Sequence, residues 1–309
     1  MSRGASAAAL AAAFFLAAPA GAVAIGEAAW RAHGGDDPHW DRGFGPSEAL
    51  AAAPQFRAMV SLTEDGRGWG VASGVWIGND AAGHAYILTA GHVAVQDVRA
   101  RRVRARTSAG AVLTGMAFFT HPAWNNDVGR RGGMDFAILK LDGPITDSGP
   151  APALYGGRQE RGRRAVLIGY GERGVAPFGV GLRFAPKHGL IAAAAENVID
   201  RVTPFTPGPD GADWGNELRI DFDEADGPGK NRMGAASPVS FLEGVLAPGD
   251  SGGALWVNFS DHWRIVGVNS SGAPGADYQD VSSFARVTTQ KAWIRSIFPQ
   301  ARFEGGKTD

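Results

Sequence analysis

Three side chains in this 309-residue sequence stand in settings that suit them for chemistry. Ser251 lies in Gly249-Asp250-Ser251-Gly252-Gly253, His92 ends the run Tyr86-Ile87-Leu88-Thr89-Ala90-Gly91-His92, and Asp135 opens the strand-like stretch Phe136-Ala137-Ile138-Leu139-Lys140-Leu141. A hydroxyl among glycines is open to close approach by another backbone, and an imidazole after small residues at a strand end is free to carry a proton near neutral pH. A carboxylate entering an apolar strand is costly to bury without hydrogen bonds, and an imidazole N–H is a suitable donor. The set reads as nucleophile, base and orienting anion.

The pentapeptide around Ser251 also contains the Gly-x-Ser-x-Gly of a hydrolase nucleophile elbow. That geometry needs a strand, a sharp turn and a helix, with an acid and then a histidine after the serine. Here Gly252-Gly253-Ala254-Leu255-Trp256-Val257 is strand-like, and the only later histidine is His262, beside Asp261. Order and local structure both oppose the elbow. A plain glycine turn remains the alternative for Ser251 taken alone.

In the order His, Asp, Ser, the blocks Thr89-Ala90-Gly91-His92, Asp135-Phe136-Ala137-Ile138-Leu139-Lys140-Leu141 and Gly249-Asp250-Ser251-Gly252-Gly253 resemble the three signature blocks of the trypsin/chymotrypsin-like serine proteases, in particular the secreted bacterial ones. The resemblance runs from about Phe56 to Phe298. It includes Val60-Ser61-Leu62, Ser73-Gly74-Val75-Trp76-Ile77, Gly169-Tyr170-Gly171, Val266-Gly267-Val268 and Ala285-Arg286-Val287-Thr288 before Trp293. It implies Ser251 as nucleophile, His92 as base, Asp135 as its orienter, and the N–H groups of Gly249 and Ser251 as an oxyanion hole. It further implies that Ser270 bonds the triad carboxylate, and that Ser271 and Gly272 pair with the substrate main chain. The activity expected is endopeptidase cleavage of polypeptides. The alternatives are a catalytically silent relative that binds peptides and, disfavoured by residue order, an esterase.

Two positions depart from the trypsin pattern. An ungapped count from Ser251 puts Val245 at the base of the primary pocket, where cleavage after Lys or Arg uses an acid. An apolar or small preference follows, with Ser282 or Ser283 nearby and Glu243 as a substitute acid if the loop is shifted. Asp250 matches a buried carboxylate that pairs with a new N-terminal ammonium or an internal arginine. Signal removal after Ala24 would leave Ile25-Gly26 for that role; cleavage after Arg42 would leave Gly43-Phe44.

The elements that must position these residues read as all-β. Forty-five glycines, 18 prolines and many short β-branched runs suit a sandwich or barrel. Strands are expected at 57–62, 71–77, 85–89, 112–120, 136–141, 164–169, 217–223, 254–257, 264–268 and 283–287. One helix is expected near the end, capped by Thr288 or Thr289, with Trp293/Ile297 and Ile294/Phe298 paired and Pro299 as its stop. With the resemblance, these become two six-stranded antiparallel barrels with the site in the cleft between them. The divisions are a signal peptide over 1–24, a lead over 25–55, a first barrel over 56–150, a second barrel with the helix over 151–300, and a tail over 301–309.

Bulk properties narrow the remaining classes. Arg3 followed by Ala7–Ala18 and the small residues Ala22-Val23-Ala24 reads as a secretory signal, so a secreted or periplasmic protein is expected, with no membrane span in the mature chain. The formal charge of −1 implies no nucleic-acid field. Without cysteine, no disulfide is available, and no cofactor is called for. A monomer is the simplest expectation. The stretch Asp221-Phe222-Asp223-Glu224-Ala225-Asp226-Gly227 lacks EF-hand spacing and reads as a solvated acidic loop before a calcium site. Arg99, Arg101, Arg102, Arg104 and Arg106 read as the wet face of a strand.

Overall fold

Short apolar runs punctuated by glycine fold into strands in the computed structural model, which describes residues 22–95, 100–124, 132–185, 190–206, 208, 213–225, 231–234, 237–273 and 275–305. The chain enters through a short strand β1 (Ala24–Gly26) and the helices α1 (Glu27–Ala32) and α2 (Gly45–Ala51). Next come β2 (Met59–Thr63), β3 (Ala72–Asn79), β4 (Ala85–Thr89), the helical turn α3 (Gly91–Val95), β5 (Arg104–Thr107), β6 (Val112–Thr120) and β7 (Ala137–Leu141). These six strands close into a barrel in the order β2-β3-β4-β7-β6-β5, sealed by pairing of Val60 with Thr107 and Leu62 with Ala105. Val60, Val75, Ile87, Leu88, Ile138 and Leu139 belong to one buried cluster and have no solvent exposure.

The second half comprises β8 (Ala153–Tyr155), β9 (Arg164–Gly169), the hairpin of β10 (Gly174–Ala176) and β11 (Gly179–Val180), β12 (Ala193–Val198), β13 (Arg201–Thr203), β14 (Glu217–Asp221), β15 (Gly244–Val245), β16 (Ala254–Phe259), β17 (His262–Ser271) and β18 (Val281–Arg286). Helix α4 (Lys291–Ile297) and β19 (Phe303–Glu304) follow. The main path, β12-β9-β16-β17-β18-β14-β13, curls until β12 comes near β14. This barrel is not closed by a continuous ladder. Instead Asn197 on β12 reaches across, its Nδ2 donating to Asp221 O at 2.7 Å and Gly244 O at 3.0 Å.

The lead is woven into this half. β1 lies between β10, which it parallels, and β15, which it opposes, with Ala24 paired to both Gly174 and Val245. Trp30 of α1 is fully buried, stacked on Trp40 at 5.2 Å and edge-on to Phe178 and Phe184. Arg173 pairs with Glu48 of α2 and lies over the Phe44 ring.

Among the local expectations that change are the cap of the last helix and two missed strands, β12 and β5. Neither Thr288 nor Thr289 caps the last helix: residues 287–290 form a 3-10 turn, Thr289 Oγ1 donates to Arg286 O at 2.9 Å, and α4 begins only at Lys291. The last helix is still fastened as its apolar pattern requires, since Ile294 and Phe298 are buried and Phe298 stacks on Tyr86 of the first barrel. β12 was absent from the expected strands because Ala193-Ala194-Ala195-Glu196 favours helix by propensity, and pairing with β9 overrides it. β5 was also absent, although its half-exposed Arg104 and Arg106 alternate with buried Ala105 and Thr107 as a wet-faced strand should; Arg99 lies outside the described residues. Asn197→Ala strands two buried carbonyls at about 1–3 kcal/mol each. The expected result is a clear fall in the urea midpoint of unfolding, with an unchanged midpoint contradicting the bridging role.

Candidate active site

Asp135, just before β7, has no solvent exposure and three donors. The backbone N–H of His92 donates to Oδ1 at 2.8 Å, and Ser270 Oγ on β17 donates to Oδ2 at 2.6 Å. His92 Nδ1 lies 2.7 Å from the same Oδ2. Against a carboxylate, Nδ1 carries the proton, which leaves Nε2 as the lone-pair nitrogen. α3 therefore fixes the imidazole twice, through its own N–H and through its ring.

Ser251 and His92 line one cavity of about 250 Å³ together with Leu246, Ala247, Pro248 and residues 269–273. Carbonyl positions orient the turn that carries Ser251. Pro248 O accepts from Glu172 N at 2.6 Å, and Asp250 O accepts from Asn269 Nδ2 at 3.0 Å and Gly253 N at 2.9 Å. Across a trans peptide the next N–H points the opposite way, so the N–H groups of Gly249 and Ser251 turn away from these partners. Ser73 on β3 holds the turn from the first barrel, its Oγ donating to Gly249 O at 3.1 Å and its N–H to Ser251 O at 2.8 Å. Gly249 adopts φ +90°, and a Cβ there would lie 2.3 Å from Gly70 O. Glycine is thus required by backbone angle and by space.

The expected pocket residues divide. Ser270, Ser271 and Gly272 line the cavity. Val245 does not; it is 1 % exposed behind the cavity, packed with Ala24 and Phe222, and Leu246 and Ala247 form the wall instead. Ser282 Oγ accepts from Leu246 N at 3.0 Å, and Ser283 Oγ donates to Glu217 at 3.3 Å. Glu243 is turned elsewhere, accepting from Asp223 N at 2.8 Å and from Val239 N.

Asp250 is fully buried and accepts from Ala247 N at 2.9 Å, Gly171 N at 3.0 Å and Val23 N at 3.1 Å. Burial raises it to about 7 against these three donors. The residue that reaches Asp250 is thus Val23, which belongs to the stretch read as signal peptide, and not Ile25, which sits within β1 opposite Val175. Val23, Ser73 and Trp124, which stands beside His92, escaped the sequence reading. Trp124 is the single tryptophan between His92 and Asp135, a weak signal; the other two had none.

Over residues 221–223 the acidic stretch is buried and not a solvated loop. Asp221 and Asp223 are buried because their neighbours return to them: Arg232 N and Met233 N both donate to Asp221 Oδ2 at 2.5 Å, and Asp223 lies against Glu243. Asp226 and Gly227 lie outside the described residues, and among those described no group of three or more His, Asp or Glu side chains is arranged to hold a metal ion. Burial, then the charge of Asp221, raises Asp223 to about 7. Burial raises Glu243 to about 7, and burial with Asp221 beside it pushes Asp200 well above the carboxylate range.

Residues 72–268 match the family model described as a trypsin-like peptidase domain. No curated protein matches the chain. Among the described residues, no helix is long and apolar enough to cross a membrane.

The raised carboxyls carry a pH signature. With ordinary values of 3.8 for Asp223 and 4.5 for Glu243, the folded chain keeps protons that the unfolded chain has released. Their contribution to stability is full below about pH 4 and is lost as pH rises through about 7. Melting temperatures from about pH 5 to about pH 8 should fall less steeply in Glu243→Gln than in the wild type; parallel profiles would contradict this account.

Proposed function

The chain belongs to the trypsin-like peptidase family, and from that premise we propose that it is a serine endopeptidase. The observation that carries this reading is the Asp135 carboxylate, bound to His92 Nδ1 from one barrel and Ser270 Oγ from the other, with Ser251 in the cavity that His92 lines. Ser251 Oγ attacks the scissile carbonyl carbon while His92 Nε2 takes its proton. The N–H groups of Gly249 and Ser251 meet the developing oxyanion. His92 then hands the proton to the leaving amine, and water deacylates Ser251 by the same route in reverse. Asp135 holds the imidazole in place and stabilises the imidazolium. Ser271 and Gly272 hold the substrate main chain as an added strand.

The cavity lining supports an apolar or small residue on the acyl side of the scissile bond. Leu246, Ala247 and Gly272 surround it, and no acidic side chain is among its lining residues. Peptide libraries should therefore yield cleavage after small aliphatic residues; dominant cleavage after Lys or Arg would overturn this preference.

Export and maturation form part of the same reading. The small residues Ala20-Gly21-Ala22 suit signal removal just before Val23, whose backbone nitrogen lies 3.1 Å from Asp250. Cleavage there turns an amide into an ammonium group at a buried carboxylate that has no cation beside it among the described residues and has been raised to about 7. Cleavage after Ala24 would remove Val23 along with the contact. Mass spectrometry of exported, active protein should find Val23 first; a start at Ile25 or Gly43 would contradict the assignment.

The direct test is hydrolysis of peptide esters and amides. Ser251→Ala should lower kcat by roughly 10⁵–10⁶, the scale on which such triads depend on their nucleophile. It should also abolish labelling by a serine-reactive phosphonate. A wild type that binds peptides but hydrolyses none would instead favour the silent relative.

A further inference from the structure

A second cavity, of about 720 Å³ against about 250 Å³ for the one that Ser251 and His92 line, shares no residue with it. It forms where the stretch from Pro54 to Ala58, ahead of β2, and the stretch from Ser148 to Ala153, between the two halves, meet the β16–β17 hairpin and the chain after α4. Pro54, Pro150 and Pro152 have no N–H to offer, so they supply shape alone. Alternation along β16 supplies an aromatic surface: Leu255 and Val257 join the core of the second half, whereas Trp256 turns to the cluster it shares with Phe56 and the closed barrel. Trp256 and Trp263 both meet the Phe56 ring edge-on, at 5.4 and 5.0 Å.

The polar groups left in this cavity are unbalanced. Glu304 has both carboxylate oxygens engaged, Oε2 by Arg264 Nε at 3.2 Å and Oε1 by Arg302 Nε at 3.3 Å. The exposed Arg57 guanidinium makes no ion pair among the described residues. The indole N–H of Trp256, a fully buried lining residue, has no hydrogen-bond partner. Arg57, Arg264 and Arg302 against Asp261 and Glu304 leave one net positive charge. A buried donor without an acceptor favours any ligand that brings one, and a carboxylate, which only accepts and is negative, suits both the indole and Arg57. Asp261, in the turn between β16 and β17 and likewise without an ion pair among the described residues, supplies the complementary acceptor.

We propose that this cavity is a second binding site, separate from the active site, for the carboxyl-terminal residues of a peptide that ends in an apolar side chain. The terminal carboxylate accepts from Trp256 Nε1–H and from Arg57, the last side chain lies among the prolines and tryptophans, and Asp261 accepts a main-chain N–H. A simple organic acid has no N–H for Asp261, which favours a peptide, and the volume is on the scale of sites that enclose a whole small ligand. The site goes beyond the peptidase reading and does not depend on it.

The probe is N-acetyl-Ala-Ala-Leu with a free carboxyl terminus, titrated into the Ser251→Ala protein so that no peptide is consumed. By calorimetry it should bind at least about tenfold more tightly than its carboxyl-terminal amide or isocaproate, the acid with a leucine-like body and no N–H, since each lacks a hydrogen bond that involves a charged group. Arg57→Gln should weaken the peptide acid by a similar factor. This variant should fold as the parent does, because the contacts of Arg57 with Pro54 and Ser108 are made by its backbone. In two-dimensional nitrogen–proton spectra, the indole resonance missing from Trp256→Phe should move downfield as the acid is added and stay in place with the amide. Absence of binding, equal binding of acid and amide, or tighter binding of isocaproate than of the peptide would each overturn the site. So would an unmoved Trp256 resonance, or binding undiminished in Arg57→Gln, the result expected of a peptide held only in the active-site cavity. Binding as described by a protein whose wild type hydrolyses nothing would leave this site standing while the peptidase reading fell.

Discussion

One buried carboxylate joins the two halves of this molecule. Asp135 precedes a strand of the closed barrel, yet Ser270, one of its donors, belongs to the other half. A charge with no access to water persists only if hydrogen bonds replace its hydration, so the barrels dock in the register that brings Ser270 to it. The same carboxylate sets the imidazole tautomer. Docking and proton chemistry therefore share an atom, Oδ2, and neither can shift without the other. Ser73 makes the reciprocal connection, reaching from the closed barrel to the turn that carries Ser251.

The second half has a different weakness: its sheet curls without a complete seam. Asn197 bridges the gap by side chain, and the lead strand β1 covers the ground between β10 and β15. The acidic residues Asp200, Asp221, Asp223 and Glu243 gather where the strands diverge, each relying on backbone N–H groups or on a retained proton. Buried carboxyls held in this way are tolerated; they supply no net attraction.

Much of the candidate site could be read in the chain because His92, Asp135 and Ser251 occur in blocks whose local pattern is itself informative. Thr89-Ala90-Gly91-His92 is a strand end, Asp135 a strand start, and Gly249-Asp250-Ser251-Gly252-Gly253 a turn before a strand. What escaped was non-local. Ser73 is an ordinary strand serine until the fold places it 176 residues away in sequence from the turn it holds. β12 looks helical, and only pairing with β9 makes it a strand. Val245 is buried on the short strand β15, beside β1, a position that an ungapped count along the chain does not reveal. The lead hid its two helices because its alanines carry little periodic signal, and Trp30, its largest buried anchor, depends on the rings of Trp40, Phe178 and Phe184.

The contact between Val23 and Asp250, separated by 227 positions, also bears on the order in which the chain can assemble. As the polypeptide emerges from its N-terminus, every strand of the closed barrel has appeared by Leu141. The opening residues must wait for β10, then β15, and finally Asp250 before they have neighbours. Such distant closure is the slow kind. These early residues are therefore among the last to find their place, and the Ser251 turn they support cannot be complete until nearly the whole chain is present.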